Sequence, residues 1–207
     1  MKLFSAHRAP NPRRALMFIT EKAISGITVE NIDLGKMQHM TPEFRAKSPF
    51  AKVPALVLDD GRVLTESRAI CTYLEGLHPE PNLMGRDATE RAFIEMIDRD
   101  VEFNLFGGLG MWIRHCHPGL AQLENPQFPD YGRAMAEKAK KAAAWFDQQL
   151  SQQPFIAGAR FTIADITAFC GVEFARGLMK FNLAEAGLPH LAAWRERMSA
   201  RPSAAVI

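Results

Sequence analysis

An α/β layer followed by an all-helical region is the fold class that this sequence predicts. In residues 1–78, short apolar runs alternate with helical patterns in the order strand, helix, strand, helix, strand, strand, helix. Pro79 and Pro81 then interrupt the chain, which is typical of a linker. Only helical periodicity follows this point. We therefore predict two domains, over 1–78 and 88–207, joined by a linker over 79–87.

The elements of the first domain follow from apolar spacing and turn residues. Leu16, Ile19 and Ala23 recur at helical spacing, and Gly26 is typical of a residue that ends a helix. Asp59-Asp60-Gly61 predicts a tight turn between two strands. The predicted elements are a strand over 2–5, a helix over 12–25, a strand over 27–34, a loop over 35–47 with a short helix from Pro42, two strands around the turn, and a helix over 67–76.

The second domain shows long helical patterns over 88–114 and 131–149, and a last helix that Pro189 opens. Glycines at 107, 108 and 110 loosen the first of these patterns. Because no strand precedes them, they predict a bend or a tight helix contact rather than a phosphate-binding loop.

A helix start is predicted near Thr162. The segment T-I-A-D places its hydroxyl three residues before the carboxylate of Asp165, which is a variant of the capping box. We therefore predict that Asp165 is structural and not catalytic.

Composition excludes several classes of function. The chain of 207 residues carries a formal net charge of +2, which is too close to neutral to indicate nucleic-acid binding. No apolar run approaches the roughly 20 residues that span a bilayer. The first residues, M-K-L-F-S-A-H-R, lack the apolar core of a signal peptide. We therefore expect a cytoplasmic location, with neither nucleic acid nor membrane as a partner.

The cysteines predict neither a disulfide framework nor a metal site. Cys71, Cys116 and Cys170 are widely spaced and form no C-x-x-C pair. Cys116 lies between His115 and His117, but no second pair of ligands accompanies this H-C-H segment. Cys71 and Cys170 fall in helical apolar patterns and are predicted to be small core residues.

Two motifs carry most of the functional information. S-P-F-A-K-V-P-A-L-V-L predicts that Pro54 enters a strand at a sheet edge, where Val53 keeps its own N–H and C=O free for an extended peptide. D-G-R-V-L-T-E-S-R-A-I then predicts a returning strand and a helix that begins at Ser67. An open backbone edge beside a helix N-terminus suits a small peptide with a carboxylate.

At these motifs the chain resembles the cytosolic glutathione S-transferases, with a bacterial, phi- and nu-like pattern. That family carries N-P-x-G-K/Q-V-P-x-L and, after it, D-G-x-x-x-x-E-S-x-A-I; the segment P-F-I-A-G-A-R-F-T-I-A-D-I-T-A-F resembles its helix-capping segment. The resemblance implies a thioredoxin-like domain with a mixed four-stranded sheet, an all-α C-terminal domain, and glutathione as the co-substrate without a metal.

The resemblance also implies the residues that bind glutathione. Val53 would pair with the cysteinyl backbone beside a cis Pro54, and Glu66 and Ser67 would hold the ammonium and the carboxylate of the γ-glutamyl end. Lys52 and His39 would face the glycyl carboxylate, although lysine is frequent in phi-like members where Met40 stands here. Simpler alternatives are that Ser67 is only an N-cap and that Lys52 and His39 are solvent-facing loop residues.

The position that holds the catalytic serine in the family is Ala9 here, which has no donor. Asn11 is our candidate for the thiol donor, because nu-type members carry T-P-N at this place, and the alternative is an ordinary N-cap. Arg8 is the supporting candidate, since it or His7 would supply positive charge beside the sulfur. Arg8 could equally be a loop cation.

The electrophile is expected to bind between the first domain and the long helices. The candidates for this second-substrate pocket are Phe103, Phe106, Met111, Trp112 and His115. Aromatic residues at this spacing are also typical of a helical core, which stays open as an alternative. Dimers are the rule in the family, so we expect a homodimer, with Arg68, Arg91 and Arg99 as candidates for the subunit contact.

The function that this resemblance predicts is a glutathione S-transferase of the detoxification type, which adds the glutathione thiolate to small hydrophobic electrophiles. Two alternatives remain. One is a nu-like glutathione-dependent disulfide reductase or peroxidase that uses two glutathiones and no protein cysteine. The other is a non-catalytic glutathione-binding module.

Overall fold

The computed structural model describes residues 1–206 and divides the chain into two compact units. One unit comprises Met1–Asn82 together with the residues from Pro202 onward, and the other comprises Leu83–Arg201. The C-terminal segment, which the sequence assigned to the helical domain, joins the first unit because it bonds to its first helix. The Arg13 guanidinium donates to the Ala204 carbonyl at 2.7 Å.

The first unit contains a mixed four-stranded sheet in the order β2-β1-β3-β4. The strands are β1 (Lys2–Ser5), β2 (Thr28–Asn31), β3 (Ala55–Val57) and β4 (Val63–Thr65). β1 runs parallel to β2 and antiparallel to β3, and β3 pairs antiparallel with β4 across the predicted turn. This confirms the thioredoxin-like layer. β3 is a central strand, however, so the prediction that Pro54 enters an edge strand is wrong.

The helices of the first unit are α1 (Pro10–Glu21), the short α2 (Pro42–Arg45) and α3 (Ser67–Leu77). α1 ends four residues before the predicted position because the chain closes it earlier. Ala23 adopts a φ of 50°, its N–H donates to the Thr20 carbonyl, and the Ile24 N–H donates to the Ile19 carbonyl. This is a Schellman motif in which alanine takes the place that glycine usually holds.

The second unit is helical. Its helices are α4 (Ala88–Asp100), α5 (Gly107–Cys116), α6 (Pro129–Leu150), α7 (Ile163–Met179) and α8 (Pro189–Ser199), and a π-helical segment, Val101–Phe106, joins α4 to α5. Of the three glycines that follow, Gly107 and Gly108 mark close contacts, as predicted, whereas a Cβ at Gly110 would have no neighbour within 4 Å. A Cβ at Gly107 would lie 2.8 Å from the Glu102 carbonyl oxygen, and one at Gly108 would lie 2.9 Å from Cβ of Ala139 on α6.

Each unit has its own apolar core. In the first unit, Phe4 and Phe44 pack edge to face with ring centroids 5.9 Å apart, and both are buried. In the second, Phe146, Phe169 and Trp194 are fully buried between the helices. Within residues 1–206, no helix combines the length and apolar character needed to cross a membrane.

Candidate functional site

The N-terminus of α1 offers very few hydrogen-bond donors. Ala9 is the N-cap residue and its side chain forms no cap. Pro10 and Pro12 have no N–H, and the first backbone bond of the helix runs from the Arg13 N–H to the Ala9 carbonyl at 3.1 Å. The backbone N–H of Asn11 is therefore the one donor that this first turn directs toward a ligand.

Asn11 contacts Ser67, the first residue of α3. The Ser67 hydroxyl donates to the Asn11 Oδ1 at 3.4 Å, and Ser67 is 3% exposed. This contact uses the amide oxygen of Asn11, and within residues 1–206 its Nδ2 donates to no other group. Asn11 lies inside α1 and Ser67 lies inside α3, so the alternative that either is an N-cap residue is wrong.

Glu66 is the N-cap residue of α3 and has an unusual backbone, with φ at 64° and ψ at 115°. This conformation is strained for a residue with a side chain, by about 1–3 kcal/mol. Its carboxylate is exposed and forms no hydrogen bond or ion pair within the described part of the chain. The Ile70 N–H donates to the Glu66 carbonyl at 3.0 Å, so the amides before Ile70 face outward at the helix N-terminus.

Val53 precedes β3 and keeps its backbone groups unused. The ladder between β1 and β3 ends at the pair Phe4 and Ala55, and no described residue bonds to the Val53 N–H or C=O. The Val53 side chain packs against the core around Phe4 and Phe44. Pro54 is buried, and the Val53–Pro54 peptide bond is cis, as the resemblance implies. An extended peptide could thus pair with Val53.

Lys52 and His39 have different environments. The Lys52 side chain is exposed, whereas His39 is 7% exposed, so the alternative that His39 faces solvent is wrong. Burial, followed by the charge of Lys52, lowers the pKa of His39 below its ordinary value. The His39 Nδ1 is buried without a hydrogen-bond partner. A neutral, incompletely bonded imidazole beside a cation suits an anionic ligand group.

Arg8 lies in the loop between β1 and α1. Its side chain is exposed, it adopts a φ of 61°, and it forms no ion pair within residues 1–206. His7 is also exposed, and its backbone N–H donates to the Asn31 Oδ1 at 3.0 Å. An unpaired guanidinium near the start of α1 can add positive charge there.

The five candidates for the second-substrate pocket have separate contacts in the helical unit. Phe103 is 69% exposed beneath the Arg99 guanidinium, and Trp112 packs edge to face on Phe181. His115 is buried, and its Nδ1 accepts the Phe128 N–H at 3.2 Å. Phe106 packs against Gly171, and Met111 is half-buried. The contacts of Trp112, Phe106 and His115 are those expected of helix packing.

Sequence reasoning missed Ser48. It is 1% exposed, and its hydroxyl bonds to both backbone groups of Lys52. The signal available was its place in the first motif, where the family pattern has asparagine before proline. A hydroxyl can replace the asparagine amide here because it both donates and accepts.

The three cysteines are free thiols. Cys71 and Cys170 are buried and Cys116 is half-buried. Among the described residues, no cluster of histidine, cysteine, aspartate and glutamate has the arrangement of a metal site.

Comparison with known proteins places the chain in a family. The profile of the glutathione S-transferase N-terminal domain matches residues 3–82, and that of the C-terminal domain matches 91–197. The chain is 34% identical to glutathione S-transferase 2 of Saccharomyces cerevisiae, over 98% of this chain and 87% of that protein. The crystal structure of Gtt2 from Saccharomyces cerevisiae matches with a TM-score of 0.91 at 33% identity, over 98% of both chains. A glutathione S-transferase domain-containing protein of Marinobacter aquaeolei VT8 matches with a TM-score of 0.90 at 38% identity, over 98% of this chain and 99% of that one. This chain belongs to the glutathione S-transferase family.

Proposed function

We propose that this protein binds glutathione and activates its thiol for attack on small hydrophobic electrophiles, with Asn11 as the donor to sulfur and Arg8 as a supporting cation. The thiol proton passes to solvent, the thiolate forms a bond to the electrophilic carbon, and a leaving group departs with its electron pair. With an acceptor that carries a polarised double bond, the addition instead ends with protonation of the adduct.

The observation that carries this proposal is the contact between Asn11 and Ser67. Ser67 is the candidate for the γ-glutamyl carboxylate, and its hydroxyl lies 3.4 Å from the Asn11 Oδ1. Asn11 therefore adjoins the position where one end of glutathione would be held. Its Nδ2 and its backbone N–H have no other partner in residues 1–206, so both are available to a sulfur atom.

The remaining glutathione contacts follow the tripeptide. Glu66 would receive the ammonium, and Ser67 with the amides of α3 would receive the adjacent carboxylate. The unused N–H and C=O of Val53, before Pro54, would pair with the cysteinyl backbone. Lys52 and His39 would meet the glycyl carboxylate.

The energy required is within reach of these donors. Lowering the pKa of a thiol by about two units needs about 2.7 kcal/mol of preferential thiolate stabilisation. A hydrogen bond to a charged group contributes about 1.5–3 kcal/mol. The N-terminus of α1 adds a favourable dipole, and Arg8 adds a positive charge. One amide with this setting is therefore sufficient.

A pH titration of the bound glutathione thiolate, followed by ultraviolet absorbance, tests the proposal. We expect a thiol pKa well below that of free glutathione in the wild type, and a return toward the free value in Asn11→Ala. Asn11→Asp is the matched variant, because it keeps an acceptor for the Ser67 hydroxyl, removes the Nδ2 donor and adds a negative charge. It should raise the thiol pKa further than Asn11→Ala.

Two results would contradict the proposal. An undepressed thiol pKa in the wild type would remove thiolate activation altogether. A depressed pKa that survives in both variants would leave the activation but exclude Asn11 as its source. Turnover of a glutathione mixed disulfide or of a peroxide, without turnover of an aryl halide such as chlorodinitrobenzene, would favour the disulfide reductase alternative.

The second-substrate pocket is tested separately. We propose that Phe103, Phe106, Met111, Trp112 and His115 contribute to electrophile binding, and Phe103 supports this best because it is 69% exposed. Phe103→Ala should then raise the KM for a hydrophobic electrophile and leave the KM for glutathione unchanged. Equal kinetics in the variant and the wild type would assign Phe103 to another role.

We also propose a homodimer. Phe50 is 82% exposed in the first unit, and Phe93 and Met96 are exposed one helical turn apart in the second. The arginine candidates support it less, because Arg68 donates to Thr72 and Arg99 pairs with Glu95 and Asp98 within the same chain; Arg91 lies close to Gly85. Phe50→Ala and Phe93→Glu should lower the mass measured by sedimentation to that of a monomer. A wild type that sediments as a monomer would contradict the homodimer.

The cytoplasmic location is part of the same proposal. It is supported by the resemblance to cytosolic members of the family. Fractionation of cells that produce the protein, with antibody detection, should place it in the cytoplasmic fraction, and recovery outside that fraction would contradict it.

A further inference from the structure

We propose that Ser48 is a positioning residue for glutathione: its hydroxyl fixes the backbone of Lys52, and thereby holds Val53 and the Lys52 side chain in register with the tripeptide. This inference rests on the proposed function, since it assigns the residue that shapes one wall of that site. Ser48 itself is buried and is not expected to touch glutathione.

The hydroxyl of Ser48 bonds to both polar groups of one residue. It accepts the Lys52 N–H at 3.0 Å and donates to the Lys52 carbonyl at 2.8 Å. These two bonds define the peptide planes before and after the Cα of Lys52. Because Ser48 is 1% exposed, water has little access to replace the hydroxyl once it is removed.

The backbone of Ser48 also closes a strained turn. The Ala51 N–H donates to the Ser48 carbonyl at 2.8 Å, and Ala51 adopts a φ of 53°. A left-handed conformation is strained for a residue that carries a Cβ. Without the hydroxyl, the segment from Ser48 to Lys52 would lose two of the bonds that oppose its relaxation.

The turn is anchored to the core of the first unit. The Ser48 N–H donates to the Phe44 carbonyl at 2.9 Å at the end of α2. Phe44 is 5% exposed and packs edge to face on Phe4 of β1. Ser48 therefore connects the buried aromatic pair to the backbone of Lys52, and these contacts fix the position of that backbone relative to the sheet.

We expect loss of the Ser48 hydroxyl to weaken glutathione binding and not to slow the chemical step. Val53 directly follows the fixed residue, and its N–H and C=O are unused within residues 1–206. A rotation at Lys52 would displace these two groups and the exposed ammonium together. Asn11, the candidate donor to sulfur, is held by α1 and by its contact with Ser67, so it would keep its place.

Steady-state kinetics with glutathione and chlorodinitrobenzene, together with calorimetric binding of glutathione, test the proposal. We expect Ser48→Ala to raise the KM and the Kd for glutathione about tenfold, with kcat within about twofold of the wild type, because two backbone bonds that orient the binding groups are lost. Ser48→Asn should restore much of the affinity, since its amide offers a donor and an acceptor at the same place.

A matched control separates positioning from lost stability. The Asp87 Oδ1 accepts the Glu90 N–H at 2.9 Å and caps α4 in the other unit. Asp87→Ala removes this cap and should lower the melting temperature, but should leave the KM for glutathione unchanged.

A truncated substrate separates Ser48 from Lys52. γ-Glutamylcysteine lacks the glycyl residue, so Lys52→Met should weaken glutathione much more than γ-glutamylcysteine. Ser48→Ala should weaken both, because it also displaces Val53. A Ser48→Ala variant with unchanged affinity for both peptides, or with a loss confined to kcat, would overturn the proposal. Wild-type protein that fails to bind glutathione would overturn the proposed function as well, which the same calorimetry shows.

Discussion

Asp165 in the helical unit and the candidate-site groups in the first unit differ in how far the chain satisfies their hydrogen bonds. In the helical unit, the buried Asp165 accepts the Ile156 N–H, the Trp194 indole N–H and the Thr162 N–H, each at 2.9 Å. In the first unit, the Asn11 Nδ2 and the Glu66 carboxylate have no partner within residues 1–206. Groups that are saturated by their own chain stabilise it, whereas groups left open are available to a ligand.

Backbone strain follows the same division. In the first unit, the described residues other than glycine with a positive φ are Arg8, Ala23, Met37, Ala51 and Glu66. Arg8 and Glu66 are themselves candidate-site residues, and Ala51 directly precedes Lys52. In the helical unit, the described residues show this only at Lys180, which ends α7. Strain of this kind persists where the surrounding contacts determine the conformation. In the first unit, most of this strain therefore lies at or beside candidate-site residues, whereas in the second it lies at the end of a helix.

The largest expected effect concerns Asp165, whose carboxylate is fully hydrogen-bonded within the chain. Asp165→Ala would leave three buried N–H groups without an acceptor, which should lower the free energy of unfolding by about 4 kcal/mol. Urea denaturation measures the loss. Asp165→Asn, which keeps one acceptor oxygen, should lose less. If Asp165→Ala unfolded at the same urea concentration as the wild type, the capping cluster would not be a stabilising centre.

The pH dependence of the free energy of unfolding is a second test of Asp165. Burial raises the pKa of Asp165 to about 6, against the opposing effect of its hydrogen bonds. Between about pH 4 and 6 the folded state therefore holds a proton that the unfolded state has released. The contribution of Asp165 to the free energy of unfolding should fall by about 3 kcal/mol as pH rises through this window.

Other carboxylates also titrate in this pH window. The test therefore compares the wild type with Asp165→Asn at each pH, so that their contributions cancel. The free energy of unfolding of the wild type minus that of Asp165→Asn should decrease from about pH 4 to 6, and a difference that is flat with pH would exclude a raised pKa.

The substitution Ser67→Ala tests the candidate-site groups that are available to a ligand. Loss of the hydroxyl should weaken glutathione binding about thirtyfold, or about 2 kcal/mol, because a hydrogen bond to a carboxylate is removed. Stability should change little, since the hydroxyl has only a long bond to Asn11. Thr72→Val, which removes an exposed hydroxyl from the same helix, is the control for calorimetry. Equal affinity in Ser67→Ala would remove Ser67 from the site.

The smallest expected effect concerns strain. Ala51→Gly should relieve the φ of 53° and raise the free energy of unfolding by roughly 0.5 kcal/mol, after the entropy of the unfolded chain is subtracted. Ala69→Gly, at an exposed position inside α3, should instead cost about 1 kcal/mol. Thermal unfolding of the two variants should shift in opposite directions, and a shift in the same direction would show that Ala51 is unstrained.

Local patterns were predictable from the sequence, and contacts across the fold were not. The capping box is confirmed because T-I-A-D brings Thr162 and Asp165 together within one turn. Ile156 and Trp194, which complete that cluster, lie 9 and 29 residues from Asp165. No short pattern reports such partners, so Asp165 was predicted as a cap without its tertiary bonds.

The candidate site shows the same limit. The motifs led to Val53 and Ser67 because strand and helix starts have local signals. The role of Ser48 could not be predicted from the sequence, because it depends on the turn that folds its hydroxyl back onto Lys52. His39 was considered a loop residue as one alternative, and only the packed structure shows that it is buried.

The π-helical segment Val101–Phe106 determines where this helix can accept a deletion. A π turn contains one residue more than an α turn, so removing it requires a deletion and not a substitution. Such a deletion would convert the π turn to an α turn and leave the residues on either side in phase, so Gly108 would still face Ala139, which its absent Cβ allows to approach. A deletion in the regular part of α5 would instead rotate everything after it by about 100°. Single-residue deletions between 101 and 106 should therefore be tolerated better than deletions between 109 and 116.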